Sequence, residues 1–247
     1  GLVGVGARTR LDRGGVTGVK RAGVPVPHDG PTALNHGVAF LPDNHNFDAY
    51  APQQIADRVN DFALVKARMP LLTLWMLGML AGAFIGLGAM LFALVASDAS
   101  LGFAAKRLLG GVAFSLGLIL VTVAGAELFT GNNLLAMAWA SGRVSAAQVL
   151  RNWLVVGLAN FAGAAGLAVL VWLSGHSSMN DGAVGRVVIA IANSKVQLSL
   201  GEAFFRGVLC NVLVCMAVWM ALAGRSVTDK VLVLVPPITA FVAAGFE

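Results

Sequence analysis

Ala124 to Asn133 reads AGAELFTGNN, a carboxylate, a threonine, two glycines and two asparagines set inside an apolar stretch long enough to cross a membrane. Polar side chains and helix-breaking residues persist at bilayer depth only where they are buried in protein or line a water-filled cavity. The stretch therefore marks either a substrate pathway or a turn between two buried helices of a soluble protein. Composition decides between them. Hydrophobic residues make up 57% of the 247 and charged residues 12%, whereas soluble domains carry about 25% charged residues. Glu127 and Gly131 then belong to a helix-break loop within a membrane span.

Apolar runs at Leu71 to Ala96, Leu108 to Ala126, Trp153 to Ser174 and Ala203 to Ala223 approach or exceed the roughly 20 residues that cross a hydrocarbon core. A fifth, Val231 to Phe246, is too short to span and runs up to Glu247. With Gly rather than Met at position 1, we expect a piece of a longer protein, without a secretory signal before Leu71. Five spans would put twelve of the Lys and Arg residues on the side of the N-terminus and five (Lys106, Arg107, Arg186, Lys195 and Arg206) on the other. The positive-inside rule then makes the N-terminus cytoplasmic in a multi-pass protein of the inner (plasma) membrane. Topology accounts for the basic balance, and no nucleic-acid partner is implied.

Three regions follow. Residues 1–46 mix Gly, Arg, Val and Pro without a period and are expected to be a disordered extension, with His28, His36 and His45 solvated. Residues 47–69 carry Ala49, Ile55, Val59, Phe62, Ala63 and Lys66 at helical spacing. They are expected to form an amphipathic helix on the cytoplasmic membrane surface or against a neighbouring subunit. Residues 70–247 form the transmembrane domain. Within it Gly78, Gly82 and Gly86 make a flat stripe for close helix approach, as do Gly157, Gly163 and Gly166 around Asn160, which is expected to bond across helices. Cys210 and Cys215, five apart on one helix, face about 140° apart and should not pair. Lys195 is expected in a loop, where it would draw anions if the loop dips into a vestibule and would otherwise be solvated. No His or Cys cluster, nucleophile with a paired base, or phosphate loop points to an enzyme, a metal or a cofactor. Glu127 could be proton-active, or could satisfy nearby N–H groups and lock the loop.

Shifting the chain by 120 residues lays Ala83, Phe84, Ala124, Gly125 and Glu127 on Ala203, Phe204, Ala244, Gly245 and Glu247. Five identities are few, but they suit inverted repeats of three spans, each with an interrupted helix at the midplane. A second break would begin at Gly245.

AGAELFTGNN, SGRVSAAQVLRNWLVVGLAN, SKV, RGVLCNVLVCMAVWMALAGRSVTDK and PPITAFVAAGFE together, in that order, closely resemble the formate/nitrite transporter family over Phe47 to Glu247, formate channels nearest. The resemblance implies an all-α, six-helix, aquaporin-like bundle of inverted three-helix repeats with broken second and fifth helices, of which about four and a half helices are present. It implies a homopentamer in the lipid bilayer, each protomer passing small monovalent anions. Formate comes first, with nitrite or hydrosulfide as alternatives; the Asn-Pro-Ala signature of an aquaporin-like channel for neutral solutes is replaced by Thr130-Gly131-Asn132-Asn133. By the same resemblance Phe114, Leu118, Leu128, Phe129 and Phe241 match the hydrophobic constrictions. Thr130 and Asn211 match polar pore residues, Lys195 matches an anion-drawing lysine, and Gly245 to Glu247 match the second break. The family's central histidine, a source of proton coupling, would follow Glu247.

Overall fold

The computed structural model describes residues 49–246 and is all-helical there, with no strand among the described residues. The extension over 1–46, including His28, His36 and His45, and also Glu247, lies outside them. Helix α1 (Pro52–Ala67) precedes α2 (Leu71–Ala96) and α3 (Phe103–Ala124). A 3-10 turn (Gly131–Leu134) leads into the short α4 (Leu135–Ala140) and then α5 (Ala146–Leu173). A second turn (His176–Ser178) leads to α6 (Ala183–Val196), α7 (Leu200–Ala223) and α8 (Val227–Ala244). Among the described residues five helices are long and apolar enough to cross a membrane.

Local chemistry places their ends. Ser145, Ser199 and Ser226 each accept from the backbone N–H three residues on, while Gln148, Glu202 and Asp229 return a bond to the serine N–H. These caps correct the expected starts: α5 begins seven residues before Trp153, and α8 begins at Val227, which gives it 18 residues and spanning length. A hydropathy run misses the polar first turn that a cap holds helical. Lys195 is corrected likewise: it lies in the last turn of α6 rather than in a loop.

Helix α2 packs between α3 and α5, α3 packs on α8, and α8 on α7. Both α3 and α8 stop at a left-handed glycine, Gly125 (φ 74°) and Gly245 (φ 83°). Each end closes by the same bond, from Ala126 N–H to the Val121 carbonyl and from Phe246 N–H to the Phe241 carbonyl, at 3.0 and 3.1 Å. The two ends that the 120-residue echo pairs are therefore built alike.

Helix α1 buries Ile55, Val59, Ala63 and Ala67 against α4, α5, α7 and the 3-10 turn of its own chain. That buried face is therefore taken by its own chain, while Phe62 and Val65 on α1 stay exposed. A stripe with two alanines is narrow enough to let α1 sit close to the break, and Lys66 beside it reaches inward.

Candidate functional site

The break after α3 exposes backbone groups that neighbouring side chains satisfy. Asn160 of α5 is central: its Oδ1 accepts from the Phe129 N–H at 2.9 Å, and its Nδ2 donates to the carbonyls of Glu127 (2.9 Å) and Gly78 (2.8 Å). Glu127 N–H donates to the Leu77 carbonyl at 3.2 Å, and Trp153 Nε1 donates to the Asn132 carbonyl at 3.0 Å. From the α7 side, the Cys215 thiol points at the Thr130 carbonyl at 3.4 Å, and Asn133 Nδ2 donates to Asn211 Oδ1. Asn160 thus bonds across helices, as its place among the α5 glycines suggests. Replacing it with leucine orphans two backbone groups of the break, the Phe129 N–H and the Glu127 carbonyl, at about 1–3 kcal/mol apiece before relaxation, while the Gly78 carbonyl keeps its bond within α2. We expect Asn160→Leu to lose roughly 3 kcal/mol in detergent unfolding; an unchanged unfolding midpoint would show that the break holds without it.

Glu127 is 4% exposed and is met by Lys66 Nζ of α1 at 2.9 and 3.0 Å. Asn132 Nδ2 donates to the same carboxylate at 2.8 Å and to Asn152 Oδ1 at 2.9 Å, while its Oδ1 accepts from Lys66 Nζ at 2.9 Å. Asn152 Nδ2 closes the ring on the Lys66 carbonyl at 3.3 Å. Burial without such partners would be prohibitive for a carboxylate. These bonds tie the Glu127 carboxylate to α1 and to the 3-10 turn, the arrangement expected of a residue that locks the loop.

Above this ring lies a cavity of about 240 Å³ lined by Leu118, Glu127, Leu128, Gly131, Lys66 and Lys230, among others. Lys66 and Glu127 neutralise each other, so Lys230 leaves the wall with a net positive charge. Leu118, Leu128, Phe114 and Phe241 lie in one apolar cluster, with the two rings edge to face at 5.7 Å. Phe129 stands apart. Its ring meets Trp153 edge to face at 6.3 Å and lies beside Gly157 of α5, because adjacent residues of the break turn to opposite sides. Thr130 and Asn211 meet the break on its α7 side, whereas Lys195, half-buried on α6, lies outside the wall of this cavity. At the second break, Gly245 is approached by Arg107 of α3 and Arg206 of α7; Glu247 lies outside the described residues.

Sequence reasoning singled out neither Lys66 as the partner of Glu127 nor Asn132, Asn152, Arg107 and Arg206. One signal was available: a carboxylate inside a span needs a cation, and Lys66 lies just before the first span on the side where the break opens.

A model of the formate/nitrite transporter family matches residues 53–247. The formate channel FocA of Haemophilus influenzae is 40% identical over 201 residues, 81% of this chain and 70% of that protein. FocA of Escherichia coli is 40% identical over 203 residues, 81% and 71% of the two chains. Among solved structures, a pentameric formate channel with formate bound superposes with a TM-score of 0.68 at 39% identity, covering 72% of this chain and 70% of that one.

Proposed function

The chain belongs to the formate/nitrite transporter family, and from that membership we propose that it passes small monovalent anions, formate first, across the inner membrane in which it is a multi-pass protein. It acts as a homopentamer with one passage per protomer and a cytoplasmic N-terminus, and it carries out no catalysis. The observation that supports this most is the apolar cluster of Phe114, Leu118, Leu128 and Phe241 set against a helix break whose cavity wall carries net positive charge.

A small anion entering that cluster sheds water, and a bare charge in low dielectric is very costly. The compensation comes from fixed groups. Net positive charge at a cavity mouth raises the local anion concentration, and Asn133 and Asn211, bonded to each other and to the Gly207 carbonyl, hold the polar side of the break in place. Lys195 supplies a cation at the end of α6, in the role that the family resemblance assigns to it. Phe129 braces the break against α5 through Trp153 and Gly157.

The test is uptake into proteoliposomes carrying the complete polypeptide, comparing formate with nitrite and hydrosulfide. Formate entry well above that of empty liposomes is expected. Equal entry with and without protein, for all three anions, would refute anion passage.

A further inference from the structure

Helices α3 and α8 run side by side in opposite directions, so the first turns of each lie beside the broken end of the other. The first turn of α8 brings Lys230 to the cavity beside Thr122 and Gly125. The first turns of α3 bring Arg107 to the end of α8, where Nε donates to the Ala243 carbonyl at 3.2 Å and a second guanidinium N–H reaches the Val242 carbonyl. The second break receives one cation more: Arg206 of α7 donates to the Gly245 carbonyl at 3.4 Å. Two guanidiniums from two helices thus converge on one carbonyl end, whose partial negative charge would otherwise repel an anion.

Arg206 differs from Arg107 in what remains available. Its neighbour one turn back, Glu202, is occupied at the cap of α7, where it accepts from Ser199 N–H at 3.0 Å and Ser199 Oγ at 2.8 Å. Among the described residues Arg206 forms no ion pair within 4 Å and a single weak hydrogen bond, to Gly245, while its charge also acts on Glu202 through space. A guanidinium presents five N–H groups in a rigid plane that matches two coplanar oxygens, a geometry that an ammonium lacks.

Resting on the anion passage argued above, we propose that Arg206 is a specificity-determining residue of the second break, which draws in planar two-oxygen anions such as a monocarboxylate through its fork. Arg107 holds the same helix end and frees Arg206 from that task. The complete polypeptide in proteoliposomes, with formate as probe at low ionic strength, tests this. Arg206→Leu should raise the half-saturating formate concentration by about three- to tenfold with maximal flux within about twofold, as expected for lost local concentration of substrate. Arg206→Lys should fall between that variant and the parent. The gap between Arg206→Leu and the parent should narrow in high salt, where exposed charges are screened. Unchanged half-saturation, a loss confined to maximal flux, or full recovery by lysine would each overturn the role. Should Arg206→Leu fail to assemble, Arg206→Gln serves in its place. Formate flux in the parent separates the two ideas: no flux there refutes anion passage, while flux with unaltered half-saturation in the variants refutes Arg206 alone.

Discussion

Lys66→Met is expected to lower the stability of the protein by about 3 kcal/mol, the lower end of the range for stranding one member of a buried ion pair. The lower end applies because the Lys66 side chain keeps 26% of its exposure while Glu127 keeps 5%. With Lys66 gone, the carboxylate retains only the Asn132 amide, and Asn132 loses the ammonium that its Oδ1 faces. Helix α1 loses its inward anchor in the same step. Adding Glu127→Gln removes the stranded charge, and the double variant should return to within about 1 kcal/mol of the parent, since a neutral pair of similar shape often replaces a buried ion pair at little cost. Net charge at the cavity is unchanged in the double variant, so formate flux should also return. Unfolding midpoints for the four members of the cycle give the coupling directly. Additive losses would mean that the pair does not hold the break, and a stable but inactive double variant would assign the pair a direct part in transport.

Gly82→Val should be more damaging. A Cβ at Gly82 would lie 1.9 Å from the Asn160 carbonyl oxygen, and one at Gly163 would lie 1.9 Å from the Met79 carbonyl oxygen. Helices α2 and α5 therefore meet backbone to backbone, and neither obstacle is a side chain that can swing away. Overpacking a core costs about 1–3 kcal/mol where side chains yield, and here the helices themselves must part. Parting them pulls Asn160 from Gly78, Glu127 and Phe129, so the break loses its support together with the helix interface. We expect loss of folded protein in detergent and flux at the level of empty liposomes. Gly166→Ala is the matched control: nothing lies within 4 Å of a Cβ at that position, and both readouts should stay at parent values. Equal behaviour of the two variants would remove close approach as the reason for these glycines.

The glycine stripes were legible because small residues at four-residue spacing have one physical use on a membrane helix. Which of them touch was not: Gly157, Gly163 and Gly166 look alike in sequence, yet one faces Phe129, one meets a backbone and one lies open. Phe129 shows the same limit. Beside Leu128 it suggested a shared wall of the passage, but in the structure the two residues face opposite sides of the break, towards α5 and towards the apolar cluster. Helix starts were misjudged by four to seven residues at α5 and α8 wherever a serine cap holds a polar first turn, since hydropathy ignores what a cap satisfies.

The order of residues alone determined that the chain is an all-α membrane protein interrupted after Ala124, with a helix stop at Gly245, because span length, hydropathy and a left-handed glycine are properties of short segments. Tertiary structure alone decided what steadies the breaks. Lys66 and Glu127 stand 61 residues apart, Asn152 reaches the Lys66 carbonyl across 86, and Arg107 reaches the end of α8 across 135. A buried carboxylate demands a cation by electrostatics, but which cation answers is settled by how α1, α3 and α5 pack around the break.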